Sequence, residues 1–319
     1  MAFPRLRRAV LALACVAPVL LAACGGGTGV VSQFRPTRMV AFGDGLADLG
    51  EVGGKRYTIN DGSVNVWTQQ VASRFGLVLT TRSAGGTSYA TGNARILATP
   101  DAAGNAATPT LKAQVDSFLA AGGPATQDML LVSAGTADMI AEATRAFAGQ
   151  QTVAQARANL EQAARDYAAQ VRRLVQGGAR HVVIAGPYNL GRSPWAIAIG
   201  QVATLEALST AFNNALLVAA ADLGEHVLYV DMPLQFNQFT GFPTSYALTN
   251  VTGAACASVD AGAGIGIGTG QVNSALCTSS TLGSGVTPDT YLFADLVYPT
   301  PFGHRTFGDY AYQRVTARW

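Results

Sequence analysis

The chain has 319 residues, 49% of them hydrophobic and 13% charged, a balance that supports one large buried core and excludes long disorder. Its formal charge of +2 sits at the very start: with Arg5, Arg7 and Arg8 removed it falls to −1, and no basic stripe remains for nucleic acid. The 36 glycines follow no period of about 20–50 residues, which excludes a solenoid or propeller.

In chain order, residues 1–8 are positively charged and residues 9–23 form an apolar run too short for a membrane span, the layout of a secretory signal. The run ends in Leu21-Ala22-Ala23-Cys24, which resembles the bacterial lipobox, and a glycine-rich stretch follows at 25–29. The resulting division is a signal peptide at 1–23, a lipidated tether at 24–36 and one folded domain at 37–319. The resemblance implies that Cys24 carries lipid and holds the protein to a membrane. Gly25, in place of an aspartate, implies sorting to the outer membrane.

Residues 38–42 (RMVAF) read as a buried strand feeding the Gly43-Asp44-Gly45 turn. Apolar spacing then predicts helices over 64–75 and 111–119, a strand over 128–133, and a long helix over 152–175 stopped by Gly177-Gly178. A strand over 181–185, a helix over 199–223, a strand over 227–230 and a last helix over 301–315 complete the reading. Strands alternating with such helices imply parallel βαβ units with helices on both faces of one sheet. Ligands of such sheets sit beyond the carboxyl ends of the strands, so the turns after Phe42, Ser133 and Ala185 carry the interest.

Of four cysteines, Cys15 leaves with the signal and Cys24 takes the lipid. Cys256 and Cys277 then pair in an oxidising compartment and close a Gly/Ser-rich segment within a long loop or small insertion at 252–288. Two thiols and three histidines without ligand spacing offer no metal site, and no cofactor motif is present.

Five ordered blocks carry a family resemblance. FGDGLADLG at 42–50 resembles the FGDSLSDTG block of SGNH/GDSL esterases and lipases, and GGTSYATGNARI at 85–96 resembles their second block. SAGTADMI at 133–140, GARHVVIAGPYNLGRSP at 178–194 and TYLFADLVYPTPFGH at 290–304 are similar to the remaining three. The resemblance implies an α/β fold: a three-layer αβα sandwich on a five-stranded parallel sheet, flavodoxin-like in order. It also implies carboxylic-ester hydrolysis by a serine, a histidine base and an aspartate, with an oxyanion hole completed by a glycine and an asparagine.

Carried over position by position, most of that machinery is missing. Gly45 stands at the serine, Ala137 at the oxyanion asparagine and Tyr298 at the histidine, while Asp295 alone survives of the triad. The second-block glycine falls on Asn93, with neighbouring Gly92 leaving the register open by one. A glycine has nothing to acylate, and a phenol with a pKa near 10 is a poor base at neutral pH. The expected protein is therefore a non-catalytic envelope lipoprotein with a binding or structural role, its remnant pocket recognising an acyl, acetyl or carboxylate group.

The alternative is a working esterase or lipase acting on lipid or glycan esters through relocated residues, of which His304, Ser133, Ser88 and Thr136 are the candidates. A decaying gene product is a third reading. Without its histidine, Asp295 reads as a structural carboxylate. Tyr89, Tyr188 and Trp195 line the groove or belong to the core, and His181 and His226 fall at the sheet rim.

Overall fold

The computed structural model describes residues 34–64 and 66–319. The signal peptide, Cys24 and the tether before Phe34 lie outside the described residues. Strands β1 (Arg38–Gly43), β2 (Asp128–Ser133), β3 (His181–Ala185) and β4 (Val227–Tyr229) form one parallel sheet in the order β1-β2-β3-β4. Its register aligns Val40 with Leu130, Leu131 with Val183 and Val183 with Leu228. All six residues of β2 are buried, so neither face of the sheet is wet and helices must cover both.

The sheet has four strands rather than the five expected. The place beside β1 is held by a single parallel bridge between Ala41 and Ser88, in which Ala41 N–H donates to Thr87 (3.2 Å) and Tyr89 N–H to Ala41 (2.7 Å). The reason is local. Gly86 and Ser88 N–H turn back onto Thr81 (2.8 Å) and Thr80 (2.9 Å), so a tight loop consumes the segment and leaves, beyond the bridge, only Thr91 N–H to reach Gly43 (3.1 Å) at the end of β1.

Helices α1 (Trp67–Arg74), α2 (Leu111–Ala120), α3 (Thr136–Phe147) and α4 (Val153–Gln176) precede β3, apart from β2 between α2 and α3. Helices α5 (Pro194–Ala198), α6 (Val202–Ala220), α7 (Met232–Gly241) and α8 (Pro301–Arg318) follow it. Helix α4 packs along α6, α3 and α2, and α1 packs on α8, where Trp67 meets Phe307 at 5.3 Å. Thr152 and Gln155 make a reciprocal capping box at the start of α4.

The glycine-rich segment is structured. Strands β5 (Asn250–Ala254) and β8 (Tyr291–Phe293) pair in parallel, while β6 (Val259–Asp260) and β7 (Gln271–Val272) form a small hairpin. Cys256 and Cys277 are disulfide-bonded, with Cα atoms 5.9 Å apart. With Ile59, Ala255 and Ala294 they make a second, smaller apolar cluster. Closing this loop stabilises the domain by about 3 kcal/mol on the chain-entropy account.

The chain enters the domain at the opposite end from the turns of interest. Phe34 stacks on His181 at 3.7 Å, and Trp319 packs edge-on to that histidine at 5.0 Å, at the amino end of β3.

Candidate functional site

The site is assembled where β1 and β2 end. At Gly43 the backbone adopts φ +136°, and a Cβ there would collide with the Ser133 carbonyl. Only glycine fits this crossing. The next residue, Asp44, is fully buried, and its carboxylate accepts N–H bonds from Leu46 (3.1 Å), Thr136 (2.8 Å) and Ala137 (3.3 Å). Asp48 accepts from Gly50 and Glu51 (both 2.9 Å) and from Gly92 (2.9 Å). These two carboxylates lace the first sequence block to the third and the second. Burial pushes Asp44 up to about 7 and Asp48 up to about 6, against the opposing pull of those N–H donors.

Gly45 and Tyr298 occupy one space. A Cβ on Gly45 would lie 2.8 Å from Cε1, Cζ and Oη of Tyr298, so the phenol ring fills the volume into which a serine side chain would rise. Tyr298 is wholly buried, rests against Tyr57 at 4.9 Å between ring centroids, and its hydroxyl has no hydrogen-bond partner among the described residues. Burial holds the phenol well above its usual pKa, so it is neutral and inert as a base. An orphaned buried hydroxyl costs about 1–3 kcal/mol. Tyr298→Phe is therefore expected to keep or raise the denaturant midpoint; a loss of more than about 1 kcal/mol would mean the hydroxyl has a partner.

Asp295, also fully buried, accepts N–H bonds from Ser274 (2.9 Å), Val297 (2.7 Å) and Tyr298 (2.7 Å). It ties the last block to the disulfide-bonded segment, and no imidazole is bonded to it.

Asn93 is the residue on which the second-block glycine is expected to fall. Its φ of 60° lies in the left-handed region, which asparagine tolerates better than most residues. The Gly92 N–H is already taken by Asp48, whereas neither the Asn93 nor the Gly45 N–H enters a hydrogen bond among the described residues. Asn93 Nδ2 donates to Gly264 (3.0 Å), holding the glycine-rich loop, while its Oδ1 has no partner. Ala137 offers only its backbone N–H, and that is turned to Asp44.

The substitute residues are not brought together. His304 is buried, and its Nδ1 accepts from Trp67 N–H (3.3 Å). Burial drives its pKa down to about 3. The hydroxyls of Ser133, Ser88 and Thr136 are buried without partners, and none is bonded to a base. Tyr188 and Trp195 are core, the former donating to the Val297 carbonyl (2.7 Å), whereas Tyr89 borders a surface cleft. His181 and His226 lie where β3 and β4 begin. Sequence reasoning missed Tyr57, Asp101, Asp260 and Asn273, which border the cleft beside Asn93; all four fall outside the quoted blocks.

The buried acids set the pH dependence of stability. Asp44, Asp48 and Asp138 have folded pKa values raised from 3.8 to about 7, 6 and 6. Between about pH 4 and 7 the folded chain therefore binds more protons than the unfolded one, and stability falls as pH rises. His304, lowered from 6.5 to about 3, acts the other way, since the unfolded histidine takes up the proton. Asp295 is raised as well and His181 lowered, both by burial, so four acids against two imidazoles make the melting temperature higher at pH 5 than at pH 8; a scan that is flat or rising over that interval would contradict this balance.

The GDSL-like lipase/acylhydrolase family description matches residues 39–311, and the chain belongs to that family. It is also 26% identical over 317 residues to an "Uncharacterized protein in trpE-trpG intergenic region" of Pseudomonas putida, with 88% of this chain and 49% of that protein covered. The chain thus spans about half the length of this relative.

Proposed function

We propose that this domain has given up the ester hydrolysis of its family and serves as a binding module of the bacterial envelope. One observation carries the reading: the Tyr298 ring stands in the space of the nucleophile at Gly45 while occupying the position of the base. Covalent catalysis needs an Oγ and a neutral imidazole to take its proton, and this pair provides neither. Loss of an oxyanion donor at Ala137 removes a further factor of about 10²–10³.

The pit at Gly45 that an acyl or acetyl group would enter is closed by the ring. A carboxylate ligand meets Asp48, Asp101 and Asp260 around the adjacent cleft, where negative charge repels it. The binding role therefore belongs to the open cleft above Tyr57 and Asn93.

Hydrolysis of p-nitrophenyl acetate and butyrate tests the reading, with a rate no greater than in buffer as the expected result. Turnover abolished by substituting His304 or Asp295 would favour a relocated mechanism instead. Attachment through Cys24 to the outer membrane completes the proposal, and Cys24→Ser is expected to move the protein from the membrane fraction to the soluble one.

A further inference from the structure

Thr91 borders two depressions in the surface beyond the strand ends. One, of about 320 Å³, runs over Tyr57 and Asn93 toward Asp101, Asn105 and Asp260. The other, of about 540 Å³, lies over Tyr89 and is edged by Arg82, Glu51 and Gln114. Building on the non-catalytic reading above, we infer that this double cleft binds a neutral oligosaccharide.

The chemistry of the lining selects that ligand class. Each depression has a half-buried tyrosine, Tyr57 in one and Tyr89 in the other. Side chains of this kind combine an apolar body with a polar tip, and the Tyr89 ring is held in place by stacking on Phe42 at 5.5 Å. Arg82 lies over the Tyr89 ring at 5.7 Å and adds N–H donors at the edge of that surface. Asn93, which borders the first depression, is only 6% exposed, and its Oδ1 is buried with no protein partner among the described residues. A buried acceptor in this state calls for a donor from a ligand or water. Asn105 spends its oxygen on Ala107 N–H (2.9 Å), which leaves its amide NH₂ to donate.

The walls are already ordered. Asp101 accepts from Ala103, Asn105 and Thr108 (2.9, 2.8 and 2.6 Å), and Asp260 from Gly262 and Asn273 (both 2.8 Å). Binding to walls fixed in this way loses little to loop ordering. Asp48, Asp101 and Asp260 face a single cation, Lys55, so the field disfavours anions, whereas hydroxyl donors suit carboxylate acceptors. Finally, the two depressions meet at Thr91, so a ligand of several rings can lie across both.

Saturation-transfer NMR on the full-length protein in detergent micelles tests this with chitotetraose, cellotetraose and maltotetraose, and with butyrate as the acyl probe. At least one tetrasaccharide is expected to bind saturably. Arg82→Ala and Asn105→Ala, both at the cleft edge, should weaken binding by about 3- to 10-fold without changing the circular dichroism spectrum. Tetrasaccharides silent at ~10 mM, binding indifferent to both substitutions, or saturation by butyrate alone would each overturn the inference. None of those results touches the non-catalytic reading, which stands or falls on ester turnover by the unaltered protein.

Discussion

Gly45→Ser alone is expected to lower stability and yield no esterase, whereas Gly45→Ser combined with Ala137→Asn and Tyr298→His is expected to hydrolyse p-nitrophenyl acetate. The single substitution adds a Cβ 2.8 Å from three atoms of a buried ring. Tyr298 cannot swing aside, because Tyr57 packs against it. Overpacking of this kind costs about 1–3 kcal/mol, or a melting temperature lowered by several degrees at ~2–4 °C per kcal/mol. An imidazole is shorter than a phenol, so Tyr298→His relieves the collision and supplies a base at the same time.

The frame awaiting those side chains is in place. Gly45 and Asn93 N–H are uncommitted among the described residues, and Asp295 is held rigidly by backbone donors close to position 298. Without Ala137→Asn the double variant should be slower by about 10²-fold. A triple variant that folds, as judged by circular dichroism, yet remains silent would show that the frame itself has moved.

Asp295→Ala is expected to be strongly destabilising, at about 3–5 kcal/mol. It orphans three buried N–H donors, those of Ser274, Val297 and Tyr298, each of which then bears a desolvation cost of about 1–3 kcal/mol. Asp295→Asn keeps one acceptor but turns an NH₂ toward remaining N–H donors, so it should fall between. Burial raises the pKa of this carboxylate even against those bonds, which removes part of its net contribution and favours the lower end of the range. Urea unfolding measures the difference. A loss below about 1 kcal/mol would mean the aspartate had been kept for something other than architecture.

How much of this was legible in the sequence depends on the length scale involved. The strands at 38–43, 128–133 and 181–185 emerge where the apolar runs place them, because a buried parallel strand is a local composition signal. Helix α3 was not anticipated. It follows Gly135 in a left-handed conformation with no side-chain cap, so the usual start signal is missing. Strands β5 to β8 were hidden by glycine and threonine, and their pairing spans the disulfide-bonded loop. The missing fifth strand follows from hydrogen bonds between Thr80–Thr81 and Gly86–Ser88, which no periodicity reveals.

The site divides in the same way. That positions 45, 137 and 298 stand where the family's serine, asparagine and histidine are expected is an assignment made on block spacing alone. That the Tyr298 ring fills the space beside Gly45 is a tertiary fact between distant segments. The cleft likewise draws Tyr57, Asp101 and Asp260 from three loops that share no motif.

The interlock of Gly45 with Tyr298 also has a historical consequence. A serine placed at 45 meets the ring, and a histidine placed at 298 finds no serine at 45, so neither step alone is expected to give turnover and the first is harmful. Selection for hydrolysis could not climb back through single substitutions. On the non-catalytic reading proposed above, a chain carrying this pair is entrenched, because no single substitution at either position brings hydrolysis within reach.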